Sequence, residues 1–295
     1  MWILFSILAA FCWAVVNTVD KYVLTKWVRQ PLIPVIMLGP IGLIAAIMVY
    51  SVYGFSFLSY FNIFLGLIAG ILYALMVVFY FKALKIEEVS RVVPLFYLSP
   101  LFILIFAAIF LGEVFTPLKY LGIFLLVIGA ILISSKDFSK ISFSKVFWWM
   151  ILSTIALAIN QLLIKYLLNF ADYWTIFAWE RIGAAIGLIP IAYIYFPELV
   201  ETVRKHGKRV VAVISANETL NLLGILSITI AVSIGYVTLV NVLSSVQPLF
   251  VLLFAVILSI FYPSILREEI GKSVVFLKLI AITLVLIGTL LIIQQ

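Results

Sequence analysis

The stretch Pro100-Leu-Phe-Ile-Leu-Ile-Phe-Ala107 returns 148 residues later as Pro248-Leu-Phe-Val-Leu-Leu-Phe-Ala255, identical at six of eight positions. Both copies are apolar, and so is most of the chain around them. Of 295 residues, 66% are hydrophobic and 11% charged, where a soluble domain is about a quarter charged. Mean hydropathy is +1.31. The recurrence reads as a duplication inside a membrane protein, and the spans separating the copies decide their relative sense. The copies fall in the fourth and ninth spans, five steps apart, an odd number, so the second copy runs upside down relative to the first.

Apolar windows long enough to cross about 30 Å of hydrocarbon as helix fall at 3–24, 32–53, 60–84, 91–111, 118–135, 146–168, 173–196, 209–232, 236–262 and 274–293. Lipid forces each crossing to satisfy its own backbone hydrogen bonds, and short alternating segments of the barrel kind are absent, so the spans are helices. The expected fold is an all-α membrane protein with ten transmembrane helices arranged as two inverted five-helix repeats. Residues 1–135 form the first repeat, 136–145 a linker loop and 146–295 the second repeat. The longest polar stretches, Ser134–Lys145 and Pro197–Arg209, are too short to bury a core of their own.

No basic residue precedes the first span, which is also longer than a signal-peptide core, so it reads as a retained helix. The one cysteine, Cys12, excludes an internal disulfide and sits in an apolar helix as a packing residue. The net charge of +7 points to anionic headgroups rather than to nucleic acid. Lys26, Arg29, Lys85, Arg91, Lys136, Lys140, Lys145, Arg204, Lys205, Lys208, Arg209, Arg267 and Lys272 all fall in loops after odd-numbered spans, against little beyond Lys119 on the other side. The positive-inside rule then sets those loops in the cytoplasm of a multi-pass plasma-membrane protein with both termini outside. Trp27, Trp148, Trp149 and Trp174 stand at span ends, as interfacial anchors do.

The halves correspond in further places. Ala83 maps to Ala231 at the same shift of 148, Lys21-Tyr22 near the end of the first span echoes Lys165-Tyr166 near the end of the sixth, and Gly129 and Gly288 share a late-span setting. Inverted repeats commonly build secondary transporters, with a site near the midplane between halves that rock against each other. Tyr80, Ala83 and Leu84 closing the third span, Pro100 inside the fourth, then Leu111-Gly112-Glu113 and a glycine-bearing fifth span, resemble the EamA type of the drug/metabolite transporter superfamily. The resemblance runs along the whole chain and implies a cavity bounded chiefly by spans 1, 3, 4, 6, 8 and 9. It also implies a cytoplasmic N-terminus, opposite to the charge count. Members of the family move amino acids, sugars, nucleotide sugars, phosphorylated metabolites and drugs. The second half departs from the pattern, with Ile228 opposite Tyr80 and Ser-Ile-Leu-Arg-Glu-Glu ending at Glu269 in place of Leu-Gly-Glu.

Ionised groups inside spans carry the chemical information, because each costs about 2.5–3.5 kcal/mol on insertion scales unless water or a partner meets it. Glu180, Arg181 and Glu218 are such groups, as coupling or ion-pair candidates. Asn217 and Asn221 share the helix face of Glu218, giving a polar stripe with Gly224 close by. Substrate contact is one reading of the stripe and a cluster locking helices together the other. Glu180 and Arg181 are sequence neighbours, so each is expected to find its partner elsewhere, with Glu218 a candidate for Arg181. Asn17, Asn160 and Gln161 lie near mid-span and line a cavity or bridge helices equally well. Asp20 beside Lys21 is equally ambiguous, while Lys21, Lys82 and Lys165 are expected to snorkel.

Pro100 and Pro248 each remove a backbone donor, so kinks or gates are expected there, with Tyr97, Ser99, Ser244, Ser245 and Gln247 able to meet opened backbone or a polar ligand. Tyr80, Tyr97, Ser245 and Gln247 join the asparagines, Gln161 and Glu218 as candidate substrate-binding residues. Gly66-x-x-x-Gly70 and Gly183-x-x-x-Gly187 are small-residue faces for close packing.

Gly271-Lys272-Ser273 looks like the end of a phosphate loop, but Leu266 stands where that loop requires glycine. His206 is the only histidine, leaving no His-based metal site or Ser-His-Asp triad. No catalytic residue, cofactor or metal is therefore assigned. The expected function is alternating-access transport of small polar or zwitterionic metabolites, with export of amino acids or related compounds among the options. The alternatives are a passive channel-like facilitator or a membrane receptor. The expected partners are a small-molecule substrate and the bilayer, with no nucleic acid; monomer and homodimer are both left open.

Overall fold

The computed structural model describes residues 1–86, 92, 96, 99–112, 114–134, 145–244, 246–261 and 272–293. Among them every regular element is helical. In chain order they are α1 (Trp2–Lys26), α2 (Ile33–Tyr53), α3 (Tyr60–Ile86), α4 (Ser99–Phe106, continued by a π-turn over Ala107–Leu111), α5 (Pro117–Ser134), α6 (Lys145–Leu167), α7 (Tyr173–His206), α8 (Lys208–Ile234), α9 (Val237–Ser244), α10 (Gln247–Phe261) and α11 (Lys272–Ile293). Seven described helices, counting Val237–Phe254 as one, are long and apolar enough to cross a bilayer. The outward faces are themselves greasy: Ile44, Ile47, Met48 and Tyr50 of α2 are all exposed. Side chains of this kind facing outward are at rest in hydrocarbon and costly in water, and the chain is a multi-pass membrane protein.

Three expectations change. The polar stretch Pro197–Arg209 is not a loop, because α7 continues through Glu198, Glu201, Arg204 and Lys205 to His206 and α8 begins at Lys208. Charged residues with long side chains are good helix formers, so polarity there marks departure from lipid rather than the end of the helix. At 1.5 Å per residue, the 34 residues of α7 span about 51 Å, well beyond the hydrocarbon. The reversal is made at Gly207, whose φ of +75° suits a residue without a Cβ.

The ninth span is interrupted between α9 and α10, with Val246 in a turn. Pro248 is the second residue of α10, where a missing N–H costs nothing, and the break falls in the turn just before it. Pro100 lies in α4 directly after residues 97–98, which are outside the described residues. The third change concerns Lys165, which does not snorkel: its Nζ donates to the carbonyls of Val232 (2.9 Å) and Gly235 (2.7 Å) at the end of α8. Four carbonyls at a helix C-terminus lack partners, and a cation there also complements the dipole.

α7 starts on a side-chain cap. The Asp172 carboxylate accepts from the backbone N–H groups of Trp174 (2.9 Å) and Thr175 (3.0 Å), from the Thr175 hydroxyl, and from Ser56 Oγ in the preceding hairpin connection. Partial burial raises this carboxyl's pKa, but the hydrogen bonds outweigh it and hold the group below the ordinary aspartate value.

α1 packs along α8, α3 along α6, α2 along α7, α3 along α7 and α5 along α11. Glycine makes the α3–α7 crossing possible. A Cβ on Gly70 would collide with the backbone of Glu180 and Ala184, and one on Gly183 with the backbone of Leu67. This contact brings the Glu180-Arg181 segment against α3 and so positions one wall of the site.

Candidate functional site

A cavity of about 140 Å³ lies where α1, α3, α6 and α8 converge, with contributions from α2, Phe96, α4, α7, α9 and α10. α1 supplies Trp13, Val16, Asn17 and Asp20, and α6 supplies Leu157, Asn160, Gln161 and Ile164. α3 gives Tyr73, Met76, Val77, Tyr80 and Phe81, facing Glu218, Asn221, Ile225 and Ile228 of α8. Ser99, Asn241, Ser244 and Gln247 add polar groups to the lining, Leu38 an apolar one, and Glu180 enters from α7. Trp13 fits because Gly224 is bare: a Cβ there would lie 2.8 Å from the indole nitrogen.

Two polar knots border this space. In the first, Asn217 Nδ2 donates to Asp20 Oδ1 at 2.8 Å and reaches the Val16 carbonyl at 3.4 Å, tying α8 to α1. Asn221 Nδ2 donates to Glu218 Oε2 at 3.1 Å and to the Tyr73 hydroxyl at 3.0 Å, tying α8 to α3. Tyr80 donates its phenolic hydrogen to Asn17 Oδ1 at 3.2 Å, joining α3 to α1. Asp20 and Glu218 are both buried and their charges bear on each other.

The second knot centres on Asn160. Its Nδ2 donates to the Ala69 carbonyl and to Glu180 Oε1, each at 2.8 Å. Arg181 Nη2 stands 2.9 Å from Glu180 Oε2, so these neighbours in sequence do pair, contrary to the expectation that each looks elsewhere. The hundred-degree turn between adjacent helical residues separates their Cβ atoms, but both side chains are long enough to curl together. That curl spoils the angle: the contact is an ion pair by distance, while Glu180 Oε2 and all three guanidinium nitrogens lack a hydrogen-bond partner. Arg181 is fully buried, and its guanidinium lies 4.2 Å from the Tyr73 ring centroid. Cation–π attraction of this kind strengthens when water is excluded. Among the described residues no ion pair joins Arg181 to Glu218.

The structure therefore brings Asn17, Tyr80, Asn160, Gln161, Glu180, Glu218, Asn221 and Gln247 to one cavity. Asn217 stands behind Asp20, and Arg181 behind Glu180, neither on the cavity wall. Tyr97 and Ser245 lie outside the described residues. Pro248 is not on the cavity wall and sits in the first turn of α10, while the side chain of Pro100 lies outside the described residues. Sequence reasoning passed over Tyr73 and Asn241 and left Asp20 undecided. A signal existed for Tyr73, which precedes Asn221 by the same 148 residues that separate the repeated Pro-Leu-Phe segments. Asn241 carried none.

Known proteins resemble the chain at three levels. Residues 1–135 match the EamA-like transporter family. A Sinorhizobium protein described as an uncharacterized transporter in the cobO 3′ region is 40% identical over 55 residues, which is 19% of this chain and 39% of that protein. The match thus spans about two fifths of that relative's length. A crystal structure titled without a function superposes with a TM-score of 0.68 at 19% identity, covering 98% of this chain and 96% of its own, which shows a shared fold. Apolar helices, close glycine crossings and a cavity at their convergence agree with these likenesses, and residues 1–135 are similar to the EamA-like transporter family, which is part of the drug/metabolite transporter superfamily.

Proposed function

We propose that this protein is a secondary-active carrier that moves small polar or zwitterionic metabolites across the plasma membrane by alternating access. The observation that carries the reading is a cavity wall built twice. A shift of 144 residues, the one that relates Lys21-Tyr22 to Lys165-Tyr166, takes Trp13, Val16, Asn17 and Asp20 onto Leu157, Asn160, Gln161 and Ile164, and all eight line the cavity. The shift of 148 takes Tyr73 onto Asn221, its own hydrogen-bond partner, and Tyr80 onto Ile228 on the facing wall. Exchanging the halves turns the α3–α6 pairing into α8–α1 and leaves α2–α7 and α5–α11 unchanged. These correspondences support ten spans in two inverted repeats, 1–135 and 146–295, with the axis passing through the cavity. Two equivalent halves around one site have two equally good ways to close, which is what alternating access requires.

Asn17, Tyr80, Asn160, Gln161, Asn221 and Gln247, with Tyr97 and Ser245, serve the substrate in this reading, Asn217 holds Asp20 from behind the wall, and Glu218 is the coupling carboxylate. The uneven Lys and Arg distribution favours both termini outside, tested by the accessibility of a tag at either end. The decisive experiment is counterflow in proteoliposomes with labelled amino acids and amines. A carrier loaded with unlabelled substrate speeds entry of the label, whereas a pore does not. Glu218→Gln is expected to remove the pH dependence of uptake; unchanged pH dependence rejects its coupling role.

A further inference from the structure

We propose that the cavity selects a protonated amine without a carboxylate, an organic cation with an apolar body, rather than a zwitterion. The inference rests on the reading of this cavity as the substrate site and names the chemistry it accepts. Three carboxylates line the space, Asp20, Glu180 and Glu218, and no Lys, Arg or His among the described residues does. Glu180 is already matched by Arg181 behind the wall. Asp20 and Glu218 each receive an amide hydrogen, from Asn217 and Asn221 respectively, and among the described residues neither forms an ion pair, although the Arg181 charge bears on Glu218 from behind the wall. Two such groups 5% and 4% exposed in a membrane interior are expensive to keep ionised without a counter-charge, and a guest cation would provide one.

Unsatisfied atoms point to the same chemistry independently of charge. Gln161 Oε1, Asn160 Oδ1 and Glu180 Oε2 are buried without hydrogen-bond partners, and all belong to cavity residues. The Asn160 assignment is fixed by its surroundings, since its Nδ2 faces two acceptors and the oxygen must occupy the other position. The surplus at the wall is thus of acceptors. An ammonium offers several N–H donors and no acceptor, while a carboxylate would bring two more acceptors to a wall whose unpartnered donors, those of Arg181, stand behind it and not on it. The rest of the lining suits the body of such a molecule. Tyr80 and Phe96 stand 5.0 Å apart between ring centroids, Tyr80 and Phe81 5.3 Å, and Trp13 of α1 lines the same cavity. Aromatic faces attract cations as well as apolar groups.

The test uses wild-type protein in lipid nanodiscs and three probes that share a phenyl ring and a short chain: phenethylamine, phenylalanine and 3-phenylpropanoate. Thermal unfolding is followed with each at millimolar concentration, since a ligand that prefers the folded state raises the apparent midpoint. Phenethylamine is expected to raise it in a dose-dependent manner, with phenylalanine and phenylpropanoate needing at least about tenfold more for the same effect. A zwitterion or anion as effective as the amine, or no response to the amine, overturns the proposal. Glu218→Gln and Asp20→Asn supply the second arm: each is expected to weaken the amine response, and a variant of wild-type thermal stability that responds unchanged overturns the assignment of its carboxylate. Failure of the carrier reading would look different, as amine binding without counterflow. Counterflow of phenylalanine with no preference for the amine would retain the carrier and remove the cation.

Discussion

Replacing Gly70 by alanine should damage this protein more than the same change at Gly187, although both glycines occupy the crossing of α3 and α7. At Gly187 the new methyl would meet the Ala74 methyl at 3.2 Å and Ile71 Cα at 3.3 Å, a tight fit relieved by a few tenths of an ångström. At Gly70 it would collide with the Glu180 carbonyl oxygen and the Ala184 nitrogen, and lie 2.7 Å from the Gly183 carbonyl carbon. These are backbone atoms of a helix and cannot rotate away, so the helices must part. Overpacking of this kind costs about 1–3 kcal/mol. Parting also pulls Glu180 from Asn160, which holds Ala69 O of α3 and Glu180 of α7 with one amide group. Leaving one of those acceptors unmet in a dry interior adds about 1–3 kcal/mol. The total for Gly70→Ala is therefore about 2–6 kcal/mol, against about 1 kcal/mol for Gly187→Ala. Reversible unfolding in mixed micelles, followed by helical circular dichroism, measures both. Equal midpoints for the two variants would show that α3 and α7 do not cross as closely as described.

Glu180→Gln should cost about 3–5 kcal/mol by leaving the Arg181 guanidinium buried without a counter-charge, and Glu180→Gln with Arg181→Met should recover most of it in the same unfolding assay. Lys165→Met removes two hydrogen bonds from the α8 C-terminus and is expected to destabilise by about 1–3 kcal/mol, seen as faster amide exchange near Val232 and Gly235. Asp172→Ala should lose about 1 kcal/mol of helix capping at neutral pH. Because the folded state holds this carboxyl below its unfolded value, the stabilisation is complete above the unfolded pKa and disappears as pH falls through the folded one. The gap between wild type and Asp172→Ala should accordingly narrow below about pH 4, and a gap that widened on acidification would contradict the cap.

Much of the architecture is legible in the chain because hydropathy is local and additive. Twenty apolar residues in a row must be helical in lipid whatever their neighbours do, so the helical class and membrane setting follow from composition alone. The recurrence of Pro-Leu-Phe 148 residues on, and the stripe of Asn217, Glu218 and Asn221 on one face of α8, are likewise local patterns with a fixed geometric meaning. The same locality misled at Pro197–Arg209, where polarity signals exit from lipid but says nothing against continued helix.

What only the tertiary structure decided is which polar group meets which. Asp20 finds Asn217 from a helix almost 200 positions away, Tyr73 finds Asn221 at a separation of 148 residues, and Glu180 turns to Arg181 beside it and to Asn160 of α6. Partner choice depends on helix rotation and on backbone separations set by single glycines, quantities to which every packed neighbour contributes and which no window of sequence contains.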